Sequence, residues 1–320
     1  MFKLWQSMIK YKGQLLVFAA GLLWGIIGVF VKELENCGST PQLTGFLRVF
    51  FAFLIMLFIT VFRYGFHALH TDKRTLAVCM MLGIVCHGIY NIFYSLAVTL
   101  AGVSVSAVLL NLAPICTLLF SVLCFSERMN RYKLAAVVIN VAGCILAVTG
   151  GKFETVSFSV IGILCGIGAG LCYSMTAIIG RFAADRTNPF LMSMYSYFFA
   201  AVLLGIWMQP WKTGFLINSR MIGLGFLYAL IPTAFAYVLY YRGLQEIRES
   251  SKVPVIASVE TVVAVAAGMV WYQEKLEFVS GVGVCLVLFS IVMMSRGRDS
   301  TNGNNKGRTL SDEAYEKAQL

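Results

Sequence analysis

Charged side chains cut this 320-residue chain into long apolar blocks. No Asp, Glu, Lys or Arg occurs from residue 75 to residue 126. One membrane-spanning helix needs about 20 apolar residues, so this stretch predicts two helices joined by a tight turn near Thr99 to Gly102. Further charge-free runs cover 13–31, 134–151, 155–180, 187–211, 221–241 and 278–295. Two more spans each hold one charge: 42–62 around Arg48 and 253–271 around Glu260. Outer-membrane strands are about ten residues long and alternate apolar with polar, whereas these runs are continuous and longer. Helices, which satisfy their own backbone hydrogen bonds in lipid, are expected instead. The predicted fold class is an all-α integral membrane protein with ten transmembrane helices.

Composition narrows the class further. Hydrophobic residues make up 59% of the chain and charged residues 12%, against about 25% charged in ordinary soluble domains. Soluble enzymes, nucleic-acid modules and disulfide scaffolds are excluded on that balance. Nine cysteines are present, eight of them inside predicted spans and none in a C-x-x-C pair. They read as small buried hydrophobes, and neither structural zinc nor any cofactor is implied. Basic residues precede the first apolar run, but no small-residue cleavage site closes it, so it reads as a retained first helix.

Lys and Arg accumulate on the cytoplasmic side of membrane proteins. With the N-terminus inside, the alternating loops place 19 basic residues inside and five outside, with Arg48 in the membrane. Both termini are therefore expected in the cytoplasm, in a multi-pass protein of the plasma membrane. The formal net charge of +10 then lies along the inner face, where anionic lipid headgroups rather than nucleic acid are its partners. Beyond Ser295 the composition turns polar, and a disordered cytoplasmic tail is expected over 296–320.

The chain also repeats. Shifted by 147 residues, Tyr90 meets Tyr237, Tyr94 meets Tyr241, Ser104 meets Ser251 and Asn111 meets Ser258. The same shift lays Phe125-Ser126-Glu127 on Tyr272-Gln273-Glu274, and a shift of 149 lays Gly21, Trp24 and Lys32 on Gly170, Tyr173 and Arg181. After a cytoplasmic segment over 1–13, one five-helix copy covers 14–150 and the other 155–295. Five is odd, so the second copy must enter the bilayer upside down. Inverted repeats of this kind recur in secondary transporters, with the substrate site near the midplane between them.

On these features the chain resembles the ten-helix EamA branch of the drug/metabolite transporter superfamily. The resemblance rests on Leu22-Leu23-Trp24-Gly25, Phe46-Leu47-Arg48 with Ala52, and Leu112-Ala113-Pro114 running to Ser126-Glu127-Arg128. In the second half it rests on Gly243-Leu244, Ser258-Val259-Glu260 and Gln273-Glu274-Lys275. It implies export or exchange of amino acids or other small metabolites through a central cavity. One departure stands out: Thr261 follows Glu260 where the family's second copy usually has proline, so a kink there must be softer or supplied otherwise.

Polar groups at membrane depth face a bundle interior or a wet cavity. His87, Tyr90, Asn91 and Tyr94 share one helical face by spacing, and Tyr237, Tyr240 and Tyr241 form its counterpart in the eighth span. The expected substrate-binding set is Trp24, His87, Tyr90, Asn91, Asn111, Tyr173, Tyr237, Tyr241 and Ser258. Interhelical hydrogen bonding and interfacial anchoring are the competing explanation for the same residues. Glu260 and Arg48, the charges within spans, are candidate coupling or gating residues. Either they pair and lock one state, or Glu260 carries a coupling proton. Glu127 and Glu274 end corresponding helices, where a carboxylate opposes the helix dipole, so each is expected to pair with a basic neighbour such as Arg128 or Lys275. The series Gly162, Gly166, Gly170 has the spacing of close helix packing.

The expected partners are a small-molecule substrate and membrane lipids, with pairing of two copies left open. Other functions find less support. His67-x-x-His70 has no acidic cluster beside it, which argues against an embedded enzyme. No Walker loop is present to drive an ATP pump. A lipid or polyprenyl-phosphate flippase needs a basic pocket, hinted at by Arg48 alone.

Overall fold

In a computed structural model, residues 2–151, 159–184, 187–209, 218–273 and 275–296 are described. Ten helices in it are long and apolar enough to cross a membrane: Tyr11–Asn36, Pro41–Tyr64, Lys73–Ala101, Val105–Phe125, Arg131–Thr149, Val160–Ala183, Pro189–Met208, Ser219–Glu246, Lys252–Tyr272 and Phe278–Arg296. They are called the first to tenth spans below. The turn expected near Thr99 to Gly102 falls between the third and fourth of them. The tail predicted over 296–320 lies, beyond Arg296, outside the described residues.

Local chemistry sets the helix ends, and it repeats. The second and seventh spans both start with a polar cap followed by proline: Thr40 accepts a hydrogen bond from the Leu43 N–H, and Asn188 accepts one from the Phe190 N–H. Such caps satisfy backbone donors that a helix start leaves free. The fourth and ninth spans end on the left-handed residues Ser126 (φ 52°) and Gln273 (φ 55°), which are 147 positions apart.

Interruptions inside the spans repeat as well. Widened π-helical turns occupy Leu82–Ile89 in the third span and Leu230–Phe235 in the eighth. Each frees backbone groups that side chains recover. Pro232 cannot donate to the Tyr228 carbonyl, and the Thr233 hydroxyl donates to it at 3.0 Å instead. In the third span the Asn91 amide donates to the His87 carbonyl. The fourth span breaks after Leu110 and the ninth after Ala257, at the repeat-related residues Asn111 and Ser258. Asn111 donates to the Ala107 carbonyl at 2.9 Å, and Ser258 to the Val255 carbonyl at 2.6 Å. The ninth span thus breaks at Ser258 without the family's proline, its serine capping the carbonyl ahead of it as Asn111 does in the fourth. The first span breaks near Gly25, but its counterpart, the sixth, runs unbroken over Val160–Ala184.

The two copies do not sit side by side. The dominant packing pairs are the fifth span with the tenth, the second with the seventh, the third with the sixth and the first with the eighth. Every pair joins one copy to the other, and exchanging the copies maps the set onto itself. Two crossed groups result: the third, fourth and sixth spans, and the eighth, ninth and first. Glycines permit the closest approaches. A Cβ on Gly283 would lie 2.3 Å from the Ala147 nitrogen. The predicted series Gly162, Gly166, Gly170 packs the sixth span onto Ala101 and Leu109 of the third and fourth.

Candidate functional site: an aromatic chamber between crossed groups

Aromatic residues from both copies meet where the crossed groups face each other. Trp24 lies against Tyr237 (ring centroids 4.9 Å apart), Tyr240 (5.2 Å) and Tyr173 (6.4 Å). Tyr90 stacks on Tyr94 at 5.8 Å and meets Tyr173 at 5.9 Å. Two repeat-related pairs, Trp24 with Tyr173 and Tyr90 with Tyr237, therefore share one wall. Offset and edge contacts at such distances suit the ring quadrupole and hold a rigid surface.

The expected face of the third span splits into two layers. Tyr90, Asn91 and Tyr94 keep partial exposure, as do Tyr173, Asn111 and Glu260. His87, 1% exposed, sits behind them. Its ring packs on Tyr237 at 4.8 Å and Tyr197 at 5.2 Å, and its Nε2 lies 3.4 Å from the Tyr241 hydroxyl. A π-helical turn adds a residue per turn and rotates the helix beyond it, so His87 no longer shares the face of Tyr90. Tyr241 is fully buried beside it.

Ser258 also lies behind the wall. The Asn140 amide donates to its hydroxyl at 2.6 Å and to that of Ser290 at 2.9 Å, binding the fifth, ninth and tenth spans together. Asn91 stands against Gly45 of the second span.

Arg48 and Glu260 are not paired with each other. Arg48 is buried, and its guanidinium makes one long hydrogen bond, 3.5 Å, to the Tyr228 hydroxyl. Its Nε has no partner. Tyr90, Tyr237 and His87 lie near Arg48, and Tyr94, Tyr173, Tyr237 and Tyr240 lie near Glu260. Among the described residues neither forms an ion pair. The guanidinium and the carboxyl group thus border one set of aromatic rings without pairing with each other.

Glu127 corrects another expectation. It does not turn to Arg128. Its carboxylate accepts from the Ser250 N–H at 2.7 Å, the Ser251 N–H at 3.4 Å and the Ser251 hydroxyl at 2.6 Å. It thereby sits at the start of the ninth span, where the dipole favours a negative charge. Glu274, its counterpart, lies outside the described residues. Beside Glu127, Lys133 meets Glu249 at 2.7 Å and Lys252 meets the same carboxylate at 3.1 Å. By sequence these three are ordinary loop charges, and neither Tyr197 nor Tyr228 stands out. A charge at a span end gives no sign of its burial, and a lone tyrosine without a repeat partner carries no signal.

On the Glu127 face the packing is close. Leu118, Ala136, Val137, Val255 and Met294 form one apolar cluster there, and Tyr241, Leu244, Ile256 and Ala257 are all but inaccessible.

A model of the EamA-like transporter family matches this chain twice, over residues 11–149 and 160–296. The two matches correspond to the two copies. Among curated proteins, an uncharacterized transporter of Archaeoglobus fulgidus is 26% identical over 294 residues, covering 91% of this chain and 99% of the relative. The uncharacterized transporter YwfM of Bacillus subtilis is 26% identical over 284 residues, covering 88% of this chain and 93% of the relative. One crystal structure superposes with a TM-score of 0.76 at 17% identity, covering 88% of this chain and 96% of that one. That likeness is one of fold.

Proposed function

Since the chain belongs to the EamA-like transporter family of the drug/metabolite transporter superfamily, we propose that it carries a small zwitterionic metabolite of the amino-acid class across the plasma membrane by alternating access. The observation that carries this reading is the unpaired couple Arg48 and Glu260 around one aromatic chamber. An isolated charge at membrane depth costs at least about 2.5 kcal/mol, and a buried charge is normally paired. A substrate bearing both signs supplies the missing partners: its carboxylate suits the planar donor fork of Arg48. Its ammonium group suits Glu260 and the partly exposed ring of Tyr173.

The moving parts are the crossed groups, with the second, seventh, fifth and tenth spans as scaffold. Each group contains helices of both copies, so turning one copy into the other's arrangement opens the chamber to the other face. With loop charges placing both termini in the cytoplasm, the closely packed Glu127 face is the cytoplasmic one. The work done is export or exchange.

Transport of a panel of labelled amino acids and metabolites into proteoliposomes, with and without a pH gradient, tests this reading. Saturable uptake of a zwitterion is expected. If Glu260 also carries the coupling proton, Glu260→Gln abolishes the effect of the gradient while exchange persists; an unaltered pH dependence in that variant removes the proton role. Movement of a fluorescent lipid probe with no uptake from the panel would replace the carrier reading with that of a flippase.

A further inference from the structure

The polar contacts of the two faces differ in what they join. On the face opposite Glu127, Lys32 lies 3.6 Å from the Tyr272 ring centroid, Arg220 reaches Glu33 at 3.4 Å, and the Tyr272 hydroxyl donates to the Val29 carbonyl at 3.4 Å. All of these fall within the group of first, eighth and ninth spans. On the Glu127 face the contacts cross between groups. Glu127, after the fourth span, holds Ser250 and Ser251 ahead of the ninth. Lys133 of the fifth span ties the scaffold to Glu249, ahead of the ninth. Arg181 of the sixth donates to the Leu244 and Arg248 carbonyls that end the eighth.

The charges in this knot are removed from water: Lys133 is 5% exposed, Lys252 2%, Glu249 1% and Glu127 7%. Buried ion pairs resist the loss of one member, because the remaining charge is stranded. Nor does the repeat supply the Lys133–Glu249–Lys252 triad twice. At the 147-residue shift, Lys133, Glu249 and Lys252 correspond to Ser280, Gly102 and Val105.

We propose that Glu127 and the Lys133–Glu249–Lys252 triad form a latch, the triad being its one-sided part, that seals the chamber on the Glu127 face and makes this conformation the resting state of the transport cycle. The four residues are positioning residues: they touch no substrate and set which face the chamber opens to. Opening on their side must return them to water, and the repeat gives the opposite face no counterpart of the triad, so the two ends of the cycle are unequal although the copies are related. This rests on the alternating-access reading, but its test needs no substrate.

Ile256 is 1% exposed and lies just inside the seal, so Ile256→Cys reports opening. In otherwise cysteine-free protein in membrane vesicles, an impermeant maleimide applied from the Glu127 face should leave it almost unlabelled. Adding Glu249→Gln should raise its labelling rate from that face about tenfold or more, with no increase from the other face. Conservative Glu127→Asp should open it less than Glu127→Gln. If labelling stays unchanged, or rises equally from both faces, the cluster is structural glue and the latch is refuted. Should Glu249→Gln fail to fold, Glu127→Cys with Ser251→Cys decides: a short reversible bis-thiosulfonate bridge between them should suppress Glu127-face labelling of a cavity cysteine at Tyr173, and reduction should restore it. Labelling indifferent to the bridge refutes the latch equally. Failure of transport across the whole substrate panel would instead count against the carrier reading, because latch opening is read without transport.

Discussion

Arg48→Met is expected to abolish transport while leaving the protein as stable as before, or more so. The reason is the geometry of the charge. Arg48 is buried, has one long hydrogen bond and meets no carboxylate among the described residues. Replacing such a buried charge by an apolar side chain of similar volume removes a desolvation penalty and gives up only the long bond to the Tyr228 hydroxyl and the contact with its ring. For a bound substrate the sign reverses. Losing one partner of a desolvated charge pair costs about 2–5 kcal/mol, which at about 1.4 kcal/mol per factor of ten is roughly 30- to 3,000-fold in affinity. Counterflow in proteoliposomes and thermal unfolding of the purified protein check the two halves together. Arg48→Lys, which keeps the charge but loses the fork, should fall between. An Arg48→Met protein that transports normally, or that unfolds far more easily than the parent, would place Arg48 in the scaffold.

Gly283→Val acts in the opposite way, on the fold and not on the chamber. The added carbon would fall 2.3 Å from the Ala147 nitrogen and 2.6 Å from the Gly143 carbonyl oxygen, both backbone atoms of the fifth span. Neither can move aside alone, so the fifth and tenth spans must separate along their contact. Overpacking typically costs about 1–3 kcal/mol, and a backbone clash with a branched side chain lies at or beyond the top of that range. A large drop in melting temperature is expected, with unchanged substrate affinity in whatever fraction remains folded. Gly223→Ala serves as the control, because a Cβ there meets nothing within 4 Å. A Gly283→Val protein as stable as that control would show that the two helices are not in backbone contact.

A sequence encodes mainly local information, and that decides which features are legible in it. Span count and the register of the two copies rest on hydrophobic length and repeated residues, and the broken fourth and ninth spans keep that register at Asn111 and Ser258. The aromatic wall of Trp24, Tyr90, Tyr173 and Tyr237 comes from the same symmetry. Periodicity assigns a residue to a face but not that face to a neighbour. Hence the crossed packing, which pairs the first span with the eighth, is not legible. An unbroken helical period places His87 on the face of Tyr90, but the intervening π-helical turn moves it into the second layer. Polarity at depth makes Ser258 look like a cavity group; its hydroxyl instead holds the Val255 carbonyl and the Asn140 amide. The dipole of its own helix assigns Glu127 a basic neighbour, whereas the dipole that matters is that of the ninth span.

The central claim is that two five-helix copies cross the membrane in opposite directions. Ser126 and Gln273 are its most direct probes, as exposed residues at repeat-related helix ends. With single cysteines at these positions and an impermeant thiol reagent on sealed vesicles, labelling should come from opposite faces, Ser126→Cys from the cytoplasmic side and Gln273→Cys from the outside. Labelling of both from one face would contradict the inversion, and with it the carrier mechanism built on it.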